Sequence, residues 1–138
     1  MNDRYLFKAI DTNSVWRTGL LIALKGNRCA IEESDGSKWA CDAKTLCQCT
    51  GLKDKNGKLI WENDIVKKEF YTDYDNCANS EEYIGIAKIM DCAWVIETIR
   101  GHKCTRPIFE AMSYSEDVKH FEVIGNIFDN PELLESKE

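Results

Sequence analysis

Asn56-Gly57, followed by a short apolar run, constrains this chain more than any other pair of residues. Both residues accept positive φ at little steric cost, so the pair marks a tight hairpin turn. Gly51 does similar work at the end of the preceding run. After the turn, Leu59-Ile60-Trp61 returns toward a core. Glu62-Asn63-Asp64 makes a second sharp turn, in which Asn and Asp side chains accept backbone N–H bonds. Ile65-Val66 then restarts a strand with β-branched residues. Gly51, Asn56, Gly57 and Asp64 are therefore read as structural turn residues.

The rest of the chain repeats this pattern of short runs and turns. Strands are predicted over Arg4–Ile10, Val15–Leu24, Arg28–Glu33, Lys38–Asp42, Leu46–Thr50 and Ile65–Tyr71. Gly19 reads as a bulge within the second of these. The polar, acidic stretch Thr72–Glu82 reads as a loop or insertion. Tyr83–Met90 and Ala93–Arg100 form a predicted hairpin. Pro107–Met112 and His120–Phe128 read as further strands, the second of them final. Pro131 opens a short terminal turn or helix. No convincing helical run interrupts the series, so the fold class is all-β. The closely spaced turns resemble the corners of small SH3-like barrels, so a barrel-like portion with an accompanying sheet is expected. At 138 residues the chain is read as a single domain, 1–138. An N-terminal β subdomain over 1–50 and a barrel portion over 51–138, sharing one core, is the other division.

Charge bears on function. The net charge is −6, with 12 basic and 10 acidic residues in residues 1–70, against 6 and 14 in the remainder. Binding to a nucleic-acid duplex generally needs a basic face, because phosphate neutralisation dominates affinity. The acidic balance argues against that class, with a local patch in the first half as the exception. No apolar run approaches the ~20 residues of a membrane helix. The N-terminus lacks the basic flank and apolar core of a signal peptide, so a cytoplasmic location is expected. The seven cysteines are then read as reduced thiols, most of them small buried apolar side chains.

Four constellations carry possible chemistry. Cys41, Cys47 and Cys49, with His102 and Cys104, supply thiolate and imidazole ligands of the kind zinc takes. They lack Cys-x₂-Cys spacing, and no metal or other cofactor is expected. Glu62 and Asp64 sit two apart, next to Trp61, as an acid/base pair in an aromatic-walled site would, but a turn in which Asp64 caps backbone donors is the preferred reading. His102 and His120 are the only histidines, and neither sits in a catalytic motif. Lys53, Lys55 and Lys58, with Lys67 and Lys68 nearby, form the one basic cluster. With Trp61 they are the candidate ligand-binding residues, against the alternative of an exposed hairpin that lysines keep from edge-to-edge pairing.

Two long stretches carry a resemblance. Cys47-Gln48, then Thr50 through Lys58, then Trp61-Glu62-Asn63-Asp64-Ile65-Val66 is similar to the core signature of the YopX family. Phe121-Glu122-Val123-Ile124-Gly125-Asn126-Ile127-Phe128-Asp129-Asn130-Pro131-Glu132-Leu133-Leu134 is similar to that family's C-terminal signature. Leu6-Phe7-Lys8-Ala9 with Trp16-Arg17-Thr18-Gly19 resembles it more loosely. The resemblance implies a protein of phage or prophage origin with a mostly-β fold that includes an SH3-like barrel portion. It implies no assigned molecular function. Family members often carry Tyr where this chain has Cys49, which weakens Cys47 and Cys49 as a dedicated metal pair. The expectation is a non-enzymatic accessory protein that binds a host protein or a small ligand, with self-association through a sheet edge open to it. A single-stranded nucleic-acid-binding module is the alternative, and a metal- or carboxylate-dependent enzyme the more remote one.

Overall fold

The computed structural model describes residues 5–74, 77–90, 93–101, 109–111 and 121–134. The chain is all-β. Among the described residues the strands are β1 (Phe7–Ile10), β2 (Trp16–Lys25), β3 (Arg28–Glu32), β4 (Lys38–Asp42), β5 (Cys47–Lys53), β6 (Leu59–Trp61), β7 (Asp64–Tyr74), β8 (Cys77–Met90), β9 (Ala93–Gly101), β10 (Phe109–Ala111) and β11 (Phe121–Asn126). Short 3₁₀ turns occupy Ala43–Thr45 and Pro131–Leu134. No helix among the described residues is long and apolar enough to cross a membrane. The chain divides into two compact units, Met1–Gly51 and Leu52–Glu138.

In the first unit the strands run in the order β4-β3-β2-β1-β5. The long β2 serves two neighbours. Its first part pairs with β1 from Ile10↔Trp16 to Phe7↔Gly19, and its second part pairs with β3 from Leu20↔Glu32 to Lys25↔Arg28. Ala9, Cys29, Ile31 and Cys41 form the buried cluster, with Phe7, Leu21, Trp39 and Leu46 packed against it. The bulge expected at Gly19 lies elsewhere. Gly19 pairs in register with Phe7, and the register shifts between Leu21 and Ala23. Gly19 answers to a different demand, since a Cβ there would run into the Glu32 carbonyl. Glycine is needed at that point for close approach of two backbones.

A single bridge, Asp11↔Cys41, links the end of β1 to β4. Among the described residues no ladder follows it, and neither sheet closes into a barrel. The barrel-like portion anticipated from turn spacing is therefore two open antiparallel sheets. Turn spacing sets where strands reverse, but closure also needs a matched stagger around the ring.

The second unit holds a five-stranded antiparallel sheet, β10-β9-β8-β7-β11, while β6 runs beside the end of β5. Ile60, Val66, Ala87, Ile96 and Phe121 form its core, with Leu52, Trp94 and Val123 against them. The expected hairpin of Tyr83–Met90 with Ala93–Arg100 is the β8–β9 ladder, from Met90↔Ala93 to Tyr83↔Gly101. Thr72–Glu82 is not the predicted loop. Its described residues extend β7 and β8, paired as Thr72↔Asn79, Asp73↔Ala78 and Tyr74↔Cys77. Strand preference is set by cross-strand neighbours more than by composition, so a polar run joins a ladder already in register.

Candidate functional site

The Asn56-Gly57 turn is built around one acid, Asp54. Its carboxylate Oδ1 accepts the Asn56 and Lys58 backbone N–H groups, each at 2.9 Å. Its backbone N–H donates to the Lys58 carbonyl at 2.8 Å, and its carbonyl accepts from Gly57 at 3.0 Å. Gly51 and Gly57 both take φ of +79°, the left-handed region that favours glycine. The other oxygen, Oδ2, accepts the Val123 N–H at 2.9 Å, across 69 residues of sequence. Beside it the Lys55 N–H donates to the Phe121 carbonyl at 2.9 Å, and Lys55 Nζ lies 3.7 Å from Glu122. Asp54 is only 6% exposed, so one buried carboxylate sews the hairpin to β11.

The second turn is latched in the same manner. Asp64, 3% exposed, accepts the Trp61 N–H at 2.8 Å. Asn63 takes φ of +69°, donates its N–H to Ala87 and accepts from Ile127 at 3.1 Å. Beyond β11, Asn126 Oδ1 accepts the Phe128 and Asp129 N–H groups, and Asn130 Oδ1 accepts from Asn126. Within the second unit, the Asp54–Asp64 part of the first signature and the C-terminal signature are thus neighbours, joined by main-chain and side-chain hydrogen bonds. Asp54 and Asp64 are both spent on backbone donors.

Among the candidate ligand-binding residues, Lys53, Lys55 and Lys58 are exposed on one hairpin, with Lys55 held by Glu122. Trp61 is 9% exposed and does not share their surface. Lys67 and Lys68 are half-buried on β7, paired in the ladder with Glu122 and Phe121, and Lys68 Nζ lies 5.1 Å from the Phe121 ring centre. Glu62 is half-buried, while Asp64 is turned to the Trp61 amide.

In the first unit Cys29, Cys41, Cys47 and Cys49 are all buried, reduced thiols. Cys41 faces Cys29 across the β3–β4 ladder, not Cys47 or Cys49. Burial pushes the Cys41 thiol up to about 11, with Cys29 adding to the rise, and burial raises Cys29 as well. The Cys47 thiol donates to the Thr45 carbonyl at 3.3 Å, and Cys49 Sγ accepts the Gly51 N–H at 3.4 Å. Cys104, His102 and His120 lie outside the described residues. Among the described residues no three His, Cys, Asp or Glu side chains group as a metal site.

Sequence reasoning passed over Asp54, and also the polar node of the first unit. Asp11 there accepts the Asn13 and Val15 N–H groups at 2.8 and 3.0 Å and the Arg17 Nε–H at 2.8 Å. Arg17 also reaches Glu33 at 3.4 Å and stacks 3.4 Å above the Trp39 ring. The Arg17 hydrogen bond and the two amides hold the Asp11 carboxyl below its ordinary 3.8. The available signal was an acid opening each turn, Asp11-Thr12-Asn13 and Asp54-Lys55-Asn56, where an Asp side chain bonds a backbone group two residues on.

With both signatures located in one packed arrangement, the comparison with known proteins is direct. The family model described as YopX protein matches residues 8–135. The chain belongs to the YopX protein family. This YopX-family chain is also similar to a solved structure, the crystal structure of protein EF1440 from Enterococcus faecalis, at 22% identity and a TM-score of 0.46. That match covers 94% of this chain and 96% of the other. No curated protein matches it.

Proposed function

We propose that this YopX-family protein is a non-catalytic binding protein, a phage or prophage accessory that holds a host protein or a small ligand in the bacterial cytoplasm. The observation that carries this reading is the use of the signature acids. Asp54 has three backbone N–H groups on its carboxylate and Asp64 has the Trp61 amide, which is the work of structural acids and not of a poised acid/base pair. The same latches present Lys53, Lys55 and Lys58 together on a braced hairpin, where they can meet an anionic group of the bound molecule. The second reading, a single-stranded nucleic-acid module, draws on those lysines. The buried Trp61 leaves it without a stacking platform at the hairpin.

The test is capture from bacterial extract on the immobilised protein, read by native mass spectrometry. A discrete protein or small mass should be retained, and released when Lys53, Lys55 and Lys58 are all changed to Glu. Retention of nothing, or of nucleic acid released by nuclease, would contradict the first reading. Low-salt gel retardation with single-stranded DNA or RNA would favour the second.

A further inference from the structure

In the first unit, a cleft of about 460 Å³ opens at the shared end of β3 and β4. That volume falls within the roughly 300–1,000 Å³ of small-molecule sites. The segments that wall it are tied to one another. The Asp11↔Cys41 bridge joins the Asp11-Thr12 turn to β4, and the Ala43 N–H donates to the Asn27 carbonyl at 2.9 Å. The Thr45 hydroxyl donates to the Asp42 carbonyl at 2.7 Å and accepts the Ile10 N–H at 2.8 Å.

The charged side chains in its lining are Asp11, Arg28, Asp42 and Lys44, and they do not cancel. Asp11 is already spent on Arg17 and on the Asn13 and Val15 amides. Asp42 stands opposite Arg28 in the β3–β4 ladder, and its Oδ1 accepts the Lys44 backbone N–H at 2.9 Å. Neither the Arg28 guanidinium nor the Lys44 ammonium has a hydrogen-bond or ion-pair partner among the described residues. In a chain of net charge −6, the cleft therefore sets two uncommitted cations against one carboxylate. Ala40 and Cys41, also in the lining, add no charge, since burial pushes the Cys41 thiol up to about 11.

This lining narrows the ligand. A guanidinium and an ammonium in one cleft suit a phosphate group, the first as a fork of N–H donors and the second as a point charge. Asp42 repels a bare anion but accepts a hydrogen bond from a hydroxyl held beside it. Among the described residues no aromatic ring lines the cleft, so a nucleobase finds no stacking surface there. We propose that this cleft binds a small phosphomonoester of a polyol, such as a sugar phosphate, with its phosphate on Arg28 and Lys44 and a hydroxyl donating to Asp42. The inference rests on the binding-protein reading, in its small-ligand form, and assigns the ligand to the first unit, apart from the lysine hairpin.

The experiment titrates the isotope-labelled full chain with ribose 5-phosphate, followed by amide chemical shifts. Ribose and inorganic phosphate are titrated separately. Saturable shifts at Thr12, Asn27, Arg28, Asp42 and Lys44 are expected with the sugar phosphate. Affinity should fall about tenfold or more for ribose, for inorganic phosphate and for the Arg28→Gln, Lys44→Gln double variant, as for loss of charge-assisted hydrogen bonds. Asp42→Asn should tighten inorganic phosphate and narrow its gap from the ester. Arg28, Asp42 and Lys44 are exposed, so these variants should keep the spectrum of a folded chain. The comparison of the three ligands on the native chain tests the proposal without any variant. Changing Lys53, Lys55 and Lys58 to Glu should leave the affinity as it is. No shifts, shifts elsewhere, equal affinity for the ester and for inorganic phosphate (an adventitious anion only), or loss of binding in the hairpin variant alone would overturn the proposal. Capture of a partner through the lysine hairpin is untouched by such a result, so the two readings fail separately.

Discussion

At the scale of single residues, two aspartates do more than the lysines around them. Asp11 and Asp54 each turn a run of backbone N–H groups into a fixed corner, and each is buried. Asp54→Ala strips acceptors from Asn56, Lys58 and Val123 together. Leaving a buried donor without its partner costs about 1–3 kcal/mol, so urea unfolding should show a loss of at least that size. Asp11 adds a pH dependence. Its folded pKa lies below 3.8, chiefly through the Arg17 hydrogen bond. A depressed carboxyl stabilises the fold above its unfolded pKa, and that stabilisation is lost as pH falls through the folded value. Acid unfolding of the native chain should therefore steepen below about pH 4, and Asp11→Asn should flatten that limb while lowering stability at neutral pH. Equal acid profiles for the two proteins would contradict the Arg17–Asp11 pairing.

Elements show what local pattern reaches and where it stops. Hairpins were legible because a turn and its two arms are contiguous, as with Tyr83–Met90 and Ala93–Arg100. The meeting of Asp54 with Val123 was not, because nothing local marks a partner 69 residues away. Thr72–Glu82 was misread from its polarity, since a ladder's register lies in neither arm alone. Phe121, fully buried at the start of β11, brings that strand into the core of the second unit. Phe121→Ala should cost about 3–5 kcal/mol, measured by chemical denaturation. A loss under about 1 kcal/mol would mean that β11 docks by hydrogen bonds alone. In the first unit, the Glu33 N–H to Ser37 bond and the Ala43 N–H to Asn27 bond fix the phase of the β3–β4 ladder. They place Cys29 and Cys41 at a hydrogen-bonded pair, where Cβ atoms stand about 5.5 Å apart, wider than a disulfide spans. Mild oxidation should leave these two thiols unlinked, and alkylation should reach Cys41 only on unfolding, given its raised pKa. A peptide two mass units lighter that joins them would refute that register.

On the scale of the whole molecule, the all-β class and the family were both readable from short runs, turn residues and two long signatures. The candidate site was readable only in part. Composition marked Lys53, Lys55 and Lys58, but whether Trp61 faced them depended on the packing of β6, and it lies in the interior. The central physical claim is that the signature acids Asp54 and Asp64 are spent on holding backbone. Its most direct measurement is amide hydrogen exchange at Val123 in the native chain and in Asp54→Asn, under conditions where both are folded. The account predicts that Val123 and Lys58 lose protection by about tenfold or more in the variant while core amides of the first unit keep theirs. Unchanged exchange at Val123, in a variant that has lost binding or an activity, would show that Asp54 serves a ligand and not the fold.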